Sequence, residues 1–144
     1  MKRLKSIAIV LAILSINYSC QNSHIQKKQE KISADGYQKI IGVCPDAARK
    51  NILLYYFDGD CAICLGKASY IEKYAIAHRL KPVLIAKTLN PAVLQYNIKN
   101  LNIQTCILIE KNQEFEKELD FMKVTKVSVD GSMENYDKRI ENNQ

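Results

Sequence analysis

The chain has 144 residues, enough for one domain of ordinary size, and its 47% hydrophobic and 25% charged content excludes a disordered polypeptide. The formal charge of +6 includes Lys2, Arg3 and Lys5; without those three, and with no acidic residue in the first 19, 18 basic residues face 15 acidic ones. So mild and evenly spread an excess excludes nucleic acid as a partner.

Residues 1–19 read as a signal peptide. A basic start is followed by an apolar run from Ile7 to Ile16, the length of a signal core. It is too short for a membrane-spanning helix, which needs about 20 apolar residues. Ser19 followed by Cys20 resembles the lipobox of bacterial lipoproteins, in which the cysteine is acylated, although Asn17 stands where that motif usually has leucine. Cys20 is therefore the expected lipidation site, and the membrane a partner through that anchor. Residues 20–34 are polar and lack periodicity, so they read as a flexible tether, with His24 as solvated sequence; residues 35–144 form the folded domain. Outside the cytosol disulfides form and persist. With Cys20 carrying lipid, Cys44, Cys61, Cys64 and Cys106 remain, an even number.

Within the domain, Tyr37, Ile40, Ile41 and Cys44 share one helical face, and Pro45 ends that helix. "ILLYYF" (52–57) predicts a buried strand, broken by Gly59. Residues 61–79 have helical spacing, with Cys64, Ala68, Ile71, Ala75 and His78 along one stripe; His78, near the helix end, reads as a partner of the helix dipole. "PVLIA" (82–86) is a second strand. Asn90 followed by Pro91 caps and opens a helix running to about Asn100. "TCILIE" (105–110) is a third strand, "KNQE" a turn, and "FEKELDFMKV" (115–124) a more polar fourth strand. Residues 132–142 predict a closing helix that opens at Ser132, with Met133, Tyr136 and Ile140 on one face. Strands alternating with helices imply parallel pairing through crossovers, with an antiparallel hairpin at the end.

The stretch "DGDCAIC" (58–64) falls at a strand end and a helix start. A helix N-terminus presents free N–H groups and partial positive charge, which stabilise a thiolate at Cys61. Two intervening residues let Cys64 reach back over one turn. Cys61 is then the attacking cysteine and Cys64 the one that resolves a mixed disulfide. Asp58 and Asp60 oppose the dipole through like charge.

The chain resembles the thioredoxin-like superfamily, most closely its TlpA-type membrane-tethered thiol-disulfide oxidoreductases, through "LLYYFDGDCAIC" and through "IQTCILIEKNQEF", which is similar to the family's xPTxxLIDxxGxx run. The resemblance implies an α/β, three-layer fold with a mixed central sheet and flanking helices. It implies Cys61 and Cys64 as a catalytic, reversibly disulfide-bonded pair, and Gln104 and Thr105 as the substrate-docking loop, Gln104 standing in place of the family's cis-proline. Tyr55 occupies the place where some thioredoxins carry a buried acid, six positions before the first cysteine.

The expected function is a membrane-anchored oxidoreductase of the bacterial envelope, facing the periplasm or exterior. Its partners are protein thiols or disulfides and a redox partner protein. The alternative is a non-catalytic thioredoxin-fold lipoprotein with a structural Cys61–Cys64 disulfide and a binding role. Tetrahedral zinc needs four ligands; with no second CxxC and no HxxxH pair, no metal or cofactor is assigned. Cys44 and Cys106 complete a Cys₄ set only if the fold brings them close. Otherwise they are small buried hydrophobes, or they pair with one another.

Overall fold

A computed structural model describes residues 31–142. The expected signal peptide and Cys20 lie outside the described residues, as does most of the expected tether. Its last residues, 31–34, are joined to the folded unit. Lys31 bridges to Ser132, Ile32 is buried, and Ser33 caps the first helix, α1 (Ala34–Val43). The Ser33 hydroxyl accepts the Gly36 N–H at 3.0 Å and donates to Glu118 Oε1 at 2.6 Å. A 3₁₀ turn, Pro45–Ala47, follows Cys44.

The run predicted as a buried strand is β1 (Ile52–Asp58), the central strand of a five-stranded sheet. β2 (Lys81–Lys87) pairs with it in parallel, Ile52 opposite Lys81 and Asp58 opposite Lys87. β3 (Ile107–Glu110) continues the parallel set at the edge, beside β2. β4 (Val124–Val127) lies antiparallel on the other side of β1, and β5 (Met133–Asn135) pairs antiparallel with β4. The order is β3-β2-β1-β4-β5.

β1 is apolar at nearly every position because both its faces are covered. Leu53, Tyr55 and Phe57 pack with Cys64, Leu65, Ala68 and Ile71 of α2 (Ala62–Ala77), Leu94 of α3 (Pro91–Asn100), and Ile140 of α4 (Asp137–Glu141). Ile52, Leu54 and Tyr56 point the other way, onto Ile40 of α1, Phe115 and Leu119. This is the three-layer α/β architecture with a mixed sheet that the sequence predicts. Among the described residues, no helix is long and apolar enough to cross a membrane.

Two expected elements differ. Residues 115–123 form successive turns in place of a strand. Glu110 initiates them: its carboxylate accepts the Phe115 N–H at 2.7 Å and a short hydrogen bond from the Tyr56 hydroxyl, pulling the chain under the sheet. Phe115 and Leu119 then serve as buried plugs beneath β1. The predicted helix from Ser132 begins only at Asp137. Asp130 and Gly131 make a tight turn, with Gly131 at φ +82° and the Asp130 carboxylate accepting from Ser132 N–H and Oγ. That turn folds 133–135 back on β4 as a strand. The closing hairpin therefore joins β4 to β5, while β3 and β4 lie three places apart in the sheet.

Candidate redox site at the end of the central strand

Past Asp58 the chain turns sharply into α2. Gly59 donates its N–H to the Lys87 carbonyl at 2.8 Å; a Cβ there would sit 3.1 Å from the Leu94 side chain and 3.3 Å from that carbonyl, so the turn packs closely only without one. Cys61 becomes the N-cap of α2, its Sγ accepting the Cys64 N–H at 3.3 Å. Cys61 and Cys64 are disulfide-bonded, with Cα atoms 5.2 Å apart. Cys61 is half-buried and Cys64 is 3% exposed, so an incoming sulfur can reach only the first of the pair.

Neither neighbouring aspartate is loose. The Asp58 carboxylate accepts the Asp60 N–H at 2.9 Å. Asp60 turns toward the loop before α3, accepting from Leu89 N–H at 2.8 Å and Thr88 Oγ1 at 2.6 Å. The Leu89 N–H, and after it the Thr88 hydroxyl, hold the Asp60 carboxyl below its usual range. A carboxyl lowered by folding stabilises the fold above its unfolded pKa, and that contribution is lost as pH falls through the folded value. Urea unfolding of wild-type protein and Asp60→Asn is therefore expected to differ at neutral pH, with the gap closing below about pH 4, where an unperturbed aspartate protonates. A gap constant with pH contradicts the assignment.

The segment brought against the cysteines is 121–123, immediately before β4. Met122 donates its N–H to the Tyr56 carbonyl at 2.8 Å, and its Sδ lies 3.8 Å from Cys64 Sγ. Phe121 stacks edge-on against Tyr56 with ring centroids 5.0 Å apart. Beside it runs a groove of about 600 Å³, lined by Asp58, Asp60, Leu89, Glu110 and Phe121 among others. Ile63, between the cysteines, and Leu89, on the groove, are almost fully exposed.

Gln104 and Thr105 lie elsewhere. Their N–H groups both donate to Glu72 Oε1, at 2.8 and 2.6 Å, and Thr105 Oγ1 donates to the Pro82 carbonyl at 2.6 Å. Because β1, β2 and β3 run parallel, the start of β3 is at the end of the sheet away from Cys61. The expected docking loop does not reach the disulfide; the run containing it entered the sheet as an edge strand beside β2. Among the described residues all peptide bonds are trans. Glu72 is buried and ties this far corner together. Glu72→Ala is expected to destabilise the protein by about 2 kcal/mol, since two amide donors lose a charged acceptor. Thiol exchange in that variant should match wild type, which a chemical denaturation curve and an exchange assay check together.

Sequence reasoning also missed two residues near the cysteines. One is Met122, whose signal was the Asp130–Gly131 turn: read as a hairpin, it makes 124–127 a strand and places 121–123 at the strand's entry. The other is Asp137, buried in α4. It accepts the Val124 N–H at 3.2 Å and faces Lys67 of α2 at 3.5 Å and Lys123 at 3.7 Å, joining the CxxC helix to the start of β4. Tyr55 has a buried hydroxyl with no hydrogen-bond partner among the described residues, and burial, with the Asp137 charge second, raises its pKa to about 12. His78 ends α2, its ring stacked on Tyr74 at 3.9 Å and its Nδ1 2.8 Å from the Tyr74 carbonyl. Cys44 and Cys106 are paired in a second disulfide, with Cα atoms 5.9 Å apart.

A central strand ending in a disulfide-bonded CxxC at a helix N-cap, on a mixed five-stranded sheet with helices on both faces, defines a thioredoxin-like fold. Solved structures share it. One is a secreted Mycobacterium tuberculosis disulfide oxidoreductase homologous to E. coli DsbE, with TM-score 0.53 and 16% identity over 63% of this chain and 71% of that one. A second is MTB dsbF in mixed oxidized and reduced forms, at 0.54 and 13% over 69% and 84%. A third is the thioredoxin domain of a Bacteroides vulgatus thiol-disulfide oxidoreductase, at 0.53 and 13% over 63% and 71%. At these identities the likeness is one of fold. No protein-family model and no curated protein matches the chain.

Proposed function

We propose that this protein is an extracytoplasmic thiol-disulfide oxidoreductase, exported by residues 1–19, lipidated at Cys20 and held off the membrane by the segment that follows. The observation that carries the chemistry is the asymmetry of the pair: a half-exposed Cys61 at a helix N-cap, bonded to a buried Cys64. In the oxidising direction a substrate thiolate attacks Cys61 Sγ, the Cys61–Cys64 bond breaks, and Cys64 leaves as a thiolate stabilised by the helix N-terminus. A second substrate thiol then attacks the substrate sulfur of the mixed disulfide and releases Cys61. The substrate loses two electrons and two protons, and the cysteine pair gains them. Reduction of a substrate disulfide is the same sequence reversed, with a redox partner protein restoring the dithiol. That one similar solved protein is a secreted disulfide oxidoreductase, and another the thioredoxin domain of a thiol-disulfide oxidoreductase, supports this reading.

Equilibration with glutathione buffers tests it. The Cys61–Cys64 pair is expected to titrate between about −270 and −120 mV, the span of dithiol exchange proteins. A potential below about −300 mV, typical of structural disulfides, favours the non-catalytic binding protein instead.

A further inference from the structure

Three sulfur atoms converge at the redox site, and exchange chemistry uses only two of them. Met122 is the third. Its backbone has φ +64°, in the left-handed region that a methionine occupies only where its surroundings hold it. What holds it is the N–H bond to the Tyr56 carbonyl, and the result is a thioether aimed at Cys64, with Sδ and Sγ 3.8 Å apart. A trigonal plane of sulfurs each about 2.3 Å from one metal ion, a typical metal–thiolate length, has edges of about 4 Å. One such edge already exists in the oxidised protein. Opening the disulfide frees Cys61 Sγ, which is half-exposed and one helical turn away, to supply the third corner.

The donor set selects the metal. Two thiolates and a thioether are soft ligands that favour Cu(I) over zinc. Zinc wants four ligands, and among the described residues no group of three or more histidine, cysteine, aspartate and glutamate side chains is arranged to hold an ion. The nearby carboxylates are occupied: Asp58 accepts the Asp60 N–H, and Asp60 accepts from Thr88 and Leu89. We infer that the reduced protein binds one Cu(I) ion through Cys61, Cys64 and Met122. A dithiol first reduces the disulfide, taking on the two-electron oxidation itself. The two cysteine thiols then release their protons as Cu(I) binds. The site shares its cysteines with the proposed exchange reaction but needs no turnover, so it stands or falls separately.

Full-length protein, reduced with tris(carboxyethyl)phosphine and titrated anaerobically with Cu(I) against bicinchoninate, is expected to take up one ion that the Cys61→Ser/Cys64→Ser variant does not. That variant keeps Cys44 and Cys106, so it measures binding by the remaining thiols. Met122→Leu preserves bulk but not the ligand and is expected to weaken binding at least about tenfold, the least that a lost supporting group costs a metal site. X-ray absorption of the wild-type copper complex should show three sulfur neighbours, a reading independent of any variant's folding. Wild-type affinity in Met122→Leu, equal uptake by the double-serine variant, or a two-sulfur shell overturns the inference.

Discussion

Cys61→Ser is expected to reduce the protein's cleavage of a model disulfide to the uncatalysed background, while Cys64→Ser should still react once and then stop. The difference follows from access. An incoming sulfur meets half-exposed Cys61, whereas Cys64 is buried in the first turn of α2, against the Met122 thioether. Without Cys61 the pair has no reachable sulfur, because Cys64 is 3% exposed. Without Cys64 the attack proceeds, but no neighbouring thiol resolves the product, and the mixed disulfide on Cys61 accumulates as a stable adduct visible by mass spectrometry. Because the two cysteines act as a unit, the double variant should be no slower than Cys61→Ser alone. Adduct on Cys61→Ser, or turnover by Cys64→Ser, contradicts the assigned roles.

Removing the second disulfide, as Cys44→Ala/Cys106→Ala, is expected to destabilise the protein by about 4 kcal/mol, the largest loss of stability anticipated for it. The bond joins residues 62 apart, and a loop of that length loses chain entropy worth about 4 kcal/mol when closed in the unfolded state. It also fastens the C-terminal end of α1 to the start of edge strand β3, which has the sheet on one side only. Cys44 is buried at 1% exposure, so the alanine pair leaves a gap under the sheet as well as a longer unfolded chain. The prediction is checked by denaturant midpoints of wild type and variant at equal slope. A shift under 1 kcal/mol would mean the bond constrains little. Exchange at Cys61 should persist wherever the variant remains folded, because the two disulfides belong to different core layers.

Much of this was legible in local sequence. Apolar runs gave β1, β2 and β3 within about two residues, because buried strands must be apolar on both faces wherever helices cover both. The Asn90–Pro91 cap marked α3 correctly, since Asn90 Oδ1 accepts the Val93 N–H as a capping residue should. What failed was the chain after Glu110. The apolar residues of 115–124 suggested a strand, but Phe115 and Leu119 are anchors of a loop, and among the described residues no strand partner lies along them. The spacing of Met133, Tyr136 and Ile140 suggested a helix, but the Asp130–Gly131 turn had already committed 133–135 to a hairpin.

The placement of Gln104 failed for a related reason. A sequence motif states which residues precede a strand, and it does not state where in the sheet that strand is inserted. By itself the sequence determined the α/β class and the strand-to-helix address of Cys61 and Cys64, because both rest on periodicity and capping within one or two turns of chain. Only the tertiary structure decided that Met122, not Gln104, lies against the disulfide, that Asp137 braces the CxxC helix, and that Cys44 meets Cys106. Those contacts join residues 58, 70 and 62 positions apart, and they depend on which edge of β1 each later strand could pair with once both faces were covered.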